Sequence, residues 1–214
     1  MQTSAKLQES AILPREFYGR DPVPVARDLL GKLLIRRIGR KRLVGRIVEC
    51  EAYLAADDPA AHAFSGRTPR NAVLFGPPGY AYVYFIYGNH YCLNVSCTKD
   101  GEAGGVLFRA MEPALGIEDM AKARGLELSE LNSPSQLRLI SSGPGRMSEA
   151  LGITRERDNA KDLTSSRSDL YFSDDGYRPE RIVATPRIGI TKAVDKPLRF
   201  TIAGNPYVSG KRTT

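Results

Sequence analysis

LIRRIGRKRLVGRIVECEAYL, residues 34–54, carries two apolar, β-branched runs on either side of a basic turn at residues 39–42. That pattern predicts an antiparallel hairpin of strands 34–38 and 43–48, with the second strand running on to residue 54. Side chains alternate along a strand, so Glu49, Glu51 and Tyr53 share one face while Val48, Cys50 and Ala52 share the other. Carboxylates on the face of an otherwise apolar strand are costly unless they are paired or used. The bland account is that both glutamates pair with arginines. Tyr53, an aromatic that can help wall a dry pocket, tilts the choice of a working carboxylate toward Glu51.

The flanking segments read as mixed α and β. Residues 22–34 open on prolines and then place Val25, Leu29, Leu30 and Leu33 on one helical stripe. Residues 105–111 (GVLFRAM) read as a buried strand, and 113–124 as a helix with Leu115, Ile117, Met120 and Ala121 inward. Residues 129–136 read as a loop or helix break. A Gly-Pro-Gly turn feeds a helix over 142–151. Residues 154–181 are polar and irregular, with a short strand near 170–172, and strands at 182–190 and 198–203 close the chain. There is no internal repeat or domain-scale linker. The expectation is α/β (mixed α+β): one domain with a curved antiparallel sheet, surrounding helices and a protruding hairpin. It spans residues 15–209, with tails at 1–14 and 210–214.

The hairpin is read from YAYVYFIYGNHYCLN, residues 80–94, which holds half of the chain's 10 tyrosines. Cross-strand packing accounts for Tyr80 and Tyr82. Tyr87 precedes the Gly88-Asn89 turn signal, and a large aromatic at a hairpin tip in a basic protein suggests a wedge for a base stack. A two-residue loop would put Tyr84 and Asn94 on opposite faces. A three-residue loop over 88–90 would pair Tyr84 with Asn94 on one pocket wall. Joint action of the two requires the longer loop or a bulge.

Arg109 stands inside an apolar strand and needs an anionic partner, for which Glu51 is the natural candidate. Such pairing favours the carboxylate form that a base for water requires. Exposed turns supply further cations. Arg67, Thr68 and Arg70, with Asn71, lie in one; Ser142, Gly143 and Arg146 lie in a loop before a helix, suited to phosphate.

The 214 residues carry 31 Lys+Arg against 24 Asp+Glu, a net charge of +7, which points to a polyanionic partner. Three cysteines (Cys50, Cys92, Cys97) cannot all pair, and two histidines make a structural zinc site improbable. No P-loop, dinucleotide fingerprint or metal-ligand cluster is present. No apolar stretch approaches the roughly 20 residues a membrane helix needs. The polar start MQTSAKLQES lacks a secretory centre, which places the protein in the cytoplasm, or in the nucleus of a eukaryote. The expectation is no cofactor, no metal, no membrane partner and a monomer.

Taken together, RIVECEAY, DDPAAHAFSGRTPRN, YVYFIYGNHYCLNV, VLFRAMEP, SGPGRMSEALGI and KPLRF resemble, in order, the alkyladenine (3-methyladenine or methylpurine) DNA glycosylase family, from about Phe17 to Val208. The resemblance implies a single α/β domain, a hairpin inserted into the minor groove of duplex DNA containing damaged purines, and no metal. It implies Glu51 as general base, with Arg109 near the catalytic water. Tyr53, His62 and Tyr84 would stack around the flipped base, with backbone near Ala60 and His62 reading its edge. Asn94 would screen the base and Tyr87 would intercalate.

The chemistry agrees. Extrusion costs a few kcal/mol that damage reduces. Ring alkylation makes a purine cationic, and each tyrosine face favours a cation by roughly 0.5–2 kcal/mol. A cationic base leaves readily, and one carboxylate can both stabilise the oxocarbenium-like transition state and activate water. No lysine lies in the Glu51 or Tyr84 motifs, so a Schiff-base lyase step is not indicated and the product is an abasic site. The competing readings are a non-catalytic binding module for distorted nucleic acid, a methyltransferase lacking any visible cofactor loop, and a small-molecule hydrolase using Glu49 and Glu51.

Overall fold

The two runs of residues 34–54 pair as an antiparallel hairpin, Leu34 opposite Gly45 and Ile38 opposite Lys41. In the computed structural model, which describes residues 11–86, 88 and 90–210, they sit at the centre of the molecule. In chain order, α1 (Arg15–Tyr18) and α2 (Pro22–Leu29) lead into β1 (Leu33–Ile38) and β2 (Lys41–Tyr53). After a 3-10 turn at Ala72–Phe75 come β3 (Ala81–Ile86), β4 (His90–Ser96) and β5 (Gly105–Leu115). Next are α3 (Ile117–Ala123), a 3-10 turn at Leu128–Glu130, α4 (Pro134–Leu137), α5 (Pro144–Ala150) and α6 (Arg155–Asp158). The described chain closes with β6 (Leu170–Ser173), β7 (Ile182–Thr185) and β8 (Arg199–Ile202).

All pairings are antiparallel, in the order β3-β4-β5-β2-β1-β6. The sheet forks along β2. Its first half pairs β1, while Glu49–Glu51 pairs Thr201–Arg199 of β8, to which β7 is added. This division curls the sheet, giving the single mixed domain expected. One face packs Val48, Cys50 and Ala52 with Val83, Leu93, Val95 and Phe108 against Val25, Leu29 and Met147 of the helices. Each such side chain contributes about 1.5–3 kcal/mol on full burial. The other face carries Glu49, Glu51 and Tyr53.

Several boundaries differ from the sequence expectation. The helix expected over 22–34, α2, stops at Leu29, because Gly31 takes a left-handed φ of 88° and Leu33 joins β1. The helix expected over 113–124 begins only at Ile117: β5 runs on through Pro113, opposite Gly45, to Leu115, and Gly116 (φ 73°) makes the turn. Leu115 is accordingly exposed, not inward. The strand expected over 182–190 ends at Thr185, where Pro186 lacks an amide to continue the ladder. Within the stretch read as an N-terminal tail, Ile12 bridges Ser173 and Leu13 is buried against the sheet.

Candidate active site

Strand β2 meets β5 through three irregularities, two of them around Glu49. In the register Ile47↔Met111, Glu49↔Ala110, Cys50↔Phe108, Glu51↔Leu107, both Val48 and Arg109 fall without a partner. Bulges of this kind re-aim side chains beside functional sites. Here Arg109 is turned onto both glutamates: its Nε donates to Glu49 Oε1 at 3.0 Å, and its Nη1 lies 3.2 Å from Glu51 Oε1. The pairing expected between Arg109 and Glu51 is thus present, but shared. Burial works against the Arg109 charge, yet the Glu51 and Glu49 carboxylates raise its pKa above the ordinary value.

Glu51 is fully buried, and two hydrogen-bond donors and the Arg109 cation converge on it. Besides Arg109, Ile188 N donates to Oε1 at 2.8 Å and Tyr53 Oη donates to Oε2 at 2.9 Å. Burial first, then the Glu51 charge, pushes the Tyr53 phenol well up, so it remains a donor. Glu49 accepts from Arg199 Nε at 2.7 Å, and from Ser209 N and Oγ at 2.6 and 2.9 Å. Glu49 is thus saturated by structure, while Tyr53, Arg109 and Ile188, the residues that hold Glu51, line a cavity that the fully buried Glu51 does not itself line.

That cavity, of about 580 Å³, falls within the usual range of small-molecule sites. Tyr53, Ala60, His62, Tyr84, Asn94 and Arg109 all line it, as do Ser142, Gly143 and Arg146 of the loop before α5. The hairpin register explains how β3 and β4 contribute. Ile86 pairs with His90, so the connection is the three residues 87–89, one residue earlier than the longer loop considered from sequence. Tyr84 therefore opposes Cys92, and Asn94 opposes Tyr82. All four share one face, since alternation carries Tyr84 and Asn94 to the same side. Asn94 Nδ2 donates to Tyr82 O at 3.1 Å. Tyr87 itself lies outside the described residues, as does Asn89.

The aromatic wall is a contact series. His62 meets Tyr84 edge-on at 4.6 Å between centroids, and Tyr82 lies 5.5 Å from Tyr84. His62 Nδ1 is 3.0 Å from Tyr82 Oη. Loss of solvent against the wall, then the charge of Arg70, holds the His62 imidazole below its ordinary pKa. Tyr82, explained from sequence as packing alone, is thus part of the cavity.

The candidate phosphate-contacting residues divide. Arg67 and Thr68 are exposed. Arg70 turns back over the Tyr84 ring at 5.9 Å. Asn71, read as part of an exposed turn, is buried, donating to His62 O and Gly66 O and accepting from Thr68 N. It shapes the loop rather than presenting a polar group. Ser142 is buried beside Arg138. Gly145 is required for closeness: a Cβ there would meet His90 Cγ at 2.8 Å, so the α5 loop packs directly on the hairpin.

Sequence reasoning missed four contributors. Ile188, exposed next to the cavity, supplies the amide on Glu51. Arg187 and Asp58 form a buried ion pair behind Tyr53. Lys192 joins the cavity lining. Pro186 was the available signal for the first two, since it breaks the strand just before them. Among the described residues, no group of three His, Cys, Asp or Glu side chains could hold a metal ion, and no helix is long and apolar enough to cross a membrane.

A curled sheet that holds a buried carboxylate behind the lining of an aromatic-walled cavity suits a base-excising hydrolase, and comparison with known proteins supplies the family. The chain belongs to the Methylpurine-DNA glycosylase (MPG) family, whose profile matches residues 16–206. It is 64% identical to a protein of Koribacter versatilis over 97% of this chain and 98% of that one. It is 46% identical to a Burkholderia lata protein (95% and 93% covered) and 47% identical to one of Methanoculleus marisnigri (92% and 98%). Each carries the name "Putative 3-methyladenine DNA glycosylase". Membership makes this chain a DNA glycosylase of the methylpurine type, a DNA-repair hydrolase acting on DNA with damaged bases. That replaces the non-catalytic, methyltransferase and small-molecule readings.

Proposed function

We propose that the chain flips an alkylated or deaminated purine of the 3-methyladenine, 7-methylguanine, hypoxanthine or ethenoadenine class out of duplex DNA. It then hydrolyses the N-glycosidic bond with water activated by Glu51, leaving an abasic site. The observation that carries this reading is the placement of Glu51: a buried carboxylate held by Tyr53, Ile188 and Arg109, each of which lines the tyrosine-walled cavity.

The damaged purine enters between Tyr53, His62 and Tyr84, whose faces favour a cationic ring. The backbone near Ala60 and His62 reads its edge, and Asn94 screens its substituents. Glu51 takes a proton from water as the C–N bond lengthens, and its charge stabilises the developing oxocarbenium ion. Arg109 Nη1 donates to Ile188 O at 3.4 Å and lies 3.2 Å from Glu51 Oε1, which holds its charge beside the carboxylate that activates the water. Tyr87 occupies the gap left in the stack, while Arg67, Thr68, Arg70, Ser142, Gly143 and Arg146 contact the backbone. The names of the similar proteins support 3-methyladenine among these lesions.

Mass spectrometry of bases freed from methylated duplex DNA tests this. Intact 3-methyladenine and 7-methylguanine are expected in the supernatant, with abasic sites left in the strand. Absence of free methylated purine over the incubation would refute the proposal.

A further inference from the structure

Arg187 is fully buried, and so is the carboxylate it meets. Its Nη1 and Nη2 donate to Asp58 Oδ2 and Oδ1, both at 2.6 Å, and Nη1 also reaches Ala52 O at 3.0 Å. Burial disfavours both charges, but the two-pronged contact prevails: the Asp58 carboxyl is held below and the Arg187 guanidinium above its ordinary pKa. Asp58 also accepts from Leu54 N at 3.1 Å and Ala60 N at 3.3 Å, so the pair anchors the loop that carries His62.

The guanidinium carbon stands 4.5 Å from the centroid of the Tyr53 ring. Tyr53 lines the cavity, whereas Arg187 and Asp58 do not. The cation therefore backs the ring, and any occupant meets the opposite face. An aromatic face attracts a cation through its electron-rich quadrupole. A guanidinium already on one side draws on that same density and sets a positive charge along the ring normal. Attraction for a second cation is weakened, and packing against a neutral ring is not. A buried ion pair seldom stabilises a fold more than apolar packing of the same volume, so stability alone leaves this placement unexplained.

We propose that the Asp58–Arg187 pair sets lesion selectivity through Tyr53, lowering the advantage of cationic alkylated purines and so keeping neutral lesions within the enzyme's range. This rests on the reading of the cavity as the site of the flipped purine. Asp58 governs how much of the guanidinium charge the ring experiences, and Arg187 supplies that charge.

The test compares single-turnover excision of 7-methylguanine, which is cationic, and hypoxanthine, which is neutral, in one duplex context. In the double variant Asp58→Asn/Arg187→Met, the single amide oxygen can accept from Leu54 N or Ala60 N but not both, and the thioether fills the vacated volume. The cationic-to-neutral rate ratio should rise about three- to fivefold. In Asp58→Asn alone, the guanidinium loses its counter-charge and the ratio should fall. Should the double variant fail to fold by circular dichroism, the direction of change in the single variant decides. Equal loss of both rates, or a ratio that fails to move in these directions, would overturn the inference while leaving the cavity assignment intact. An unmodified enzyme that excises neither lesion would overturn the cavity assignment, and the inference with it.

Discussion

Glu51→Gln is expected to lower single-turnover excision by about 10²–10⁴-fold, the usual scale for removing a general base, while affinity for lesion-containing duplex stays within a few-fold of the unmodified enzyme. The amide keeps the shape and can still accept from Ile188 N, but it cannot take a proton from water or offset positive charge at the sugar. With the oxygen kept on Ile188 N and Arg109 Nη1, its NH₂ group faces the Tyr53 hydroxyl, itself a donor to the carboxylate. A modest fall in stability, about 1–3 kcal/mol for an unsatisfied buried group, is therefore expected as well. Excision rates and gel-shift affinities measured on the same duplex separate these effects. Near-normal excision would remove Glu51 from its role.

The second large effect belongs to Arg109. Replacement by Met leaves Glu49 and Glu51 buried without the cation they share. Breaking a buried pair from one side costs about 3–5 kcal/mol. The lower end applies here, because Arg199 and Ser209 still hold Glu49, and Tyr53 and Ile188 still hold Glu51. Excision should fall by about 10²-fold, since small misplacement of a reacting group costs that much. Arg109→Lys should restore part of the stability but little of the rate, because one ammonium cannot span both carboxylates. Urea denaturation and single-turnover kinetics measure both. Unchanged stability in Arg109→Met would show that the guanidinium does not balance the two glutamates.

The central hairpin and the face shared by Glu49, Glu51 and Tyr53 were legible because period-2 alternation and the basic turn after Ile38 agree. The same local logic failed where long-range pairing overrode it. Pro113 looks like a helix start, yet it stays in β5 because Gly45 lies opposite it. Two hairpin registers stayed open from sequence, because a turn signal at Gly88-Asn89 does not locate the loop to the residue; Tyr84 and Asn94 share a face, but the strands close one position earlier and the two do not pair. Both glutamates do pair with arginines, as the bland account held. What separates them is that Arg199 and Ser209, 150 and 160 residues away, complete the partners of Glu49, whereas Tyr53 and Ile188, which hold Glu51, line the cavity. Asp58 and Arg187, 129 residues apart, could not be matched from spacing at all.

The most direct test of the central claim, that an extruded purine stands against the tyrosine wall with its sugar toward the carboxylate, is a crystal structure of the Glu51→Gln enzyme on a duplex containing one hypoxanthine. The account predicts the base outside the helix, between Tyr53, His62 and Tyr84, with C1′ on the side of residue 51. A lesion base still stacked in the duplex, or lodged against another surface, would contradict it.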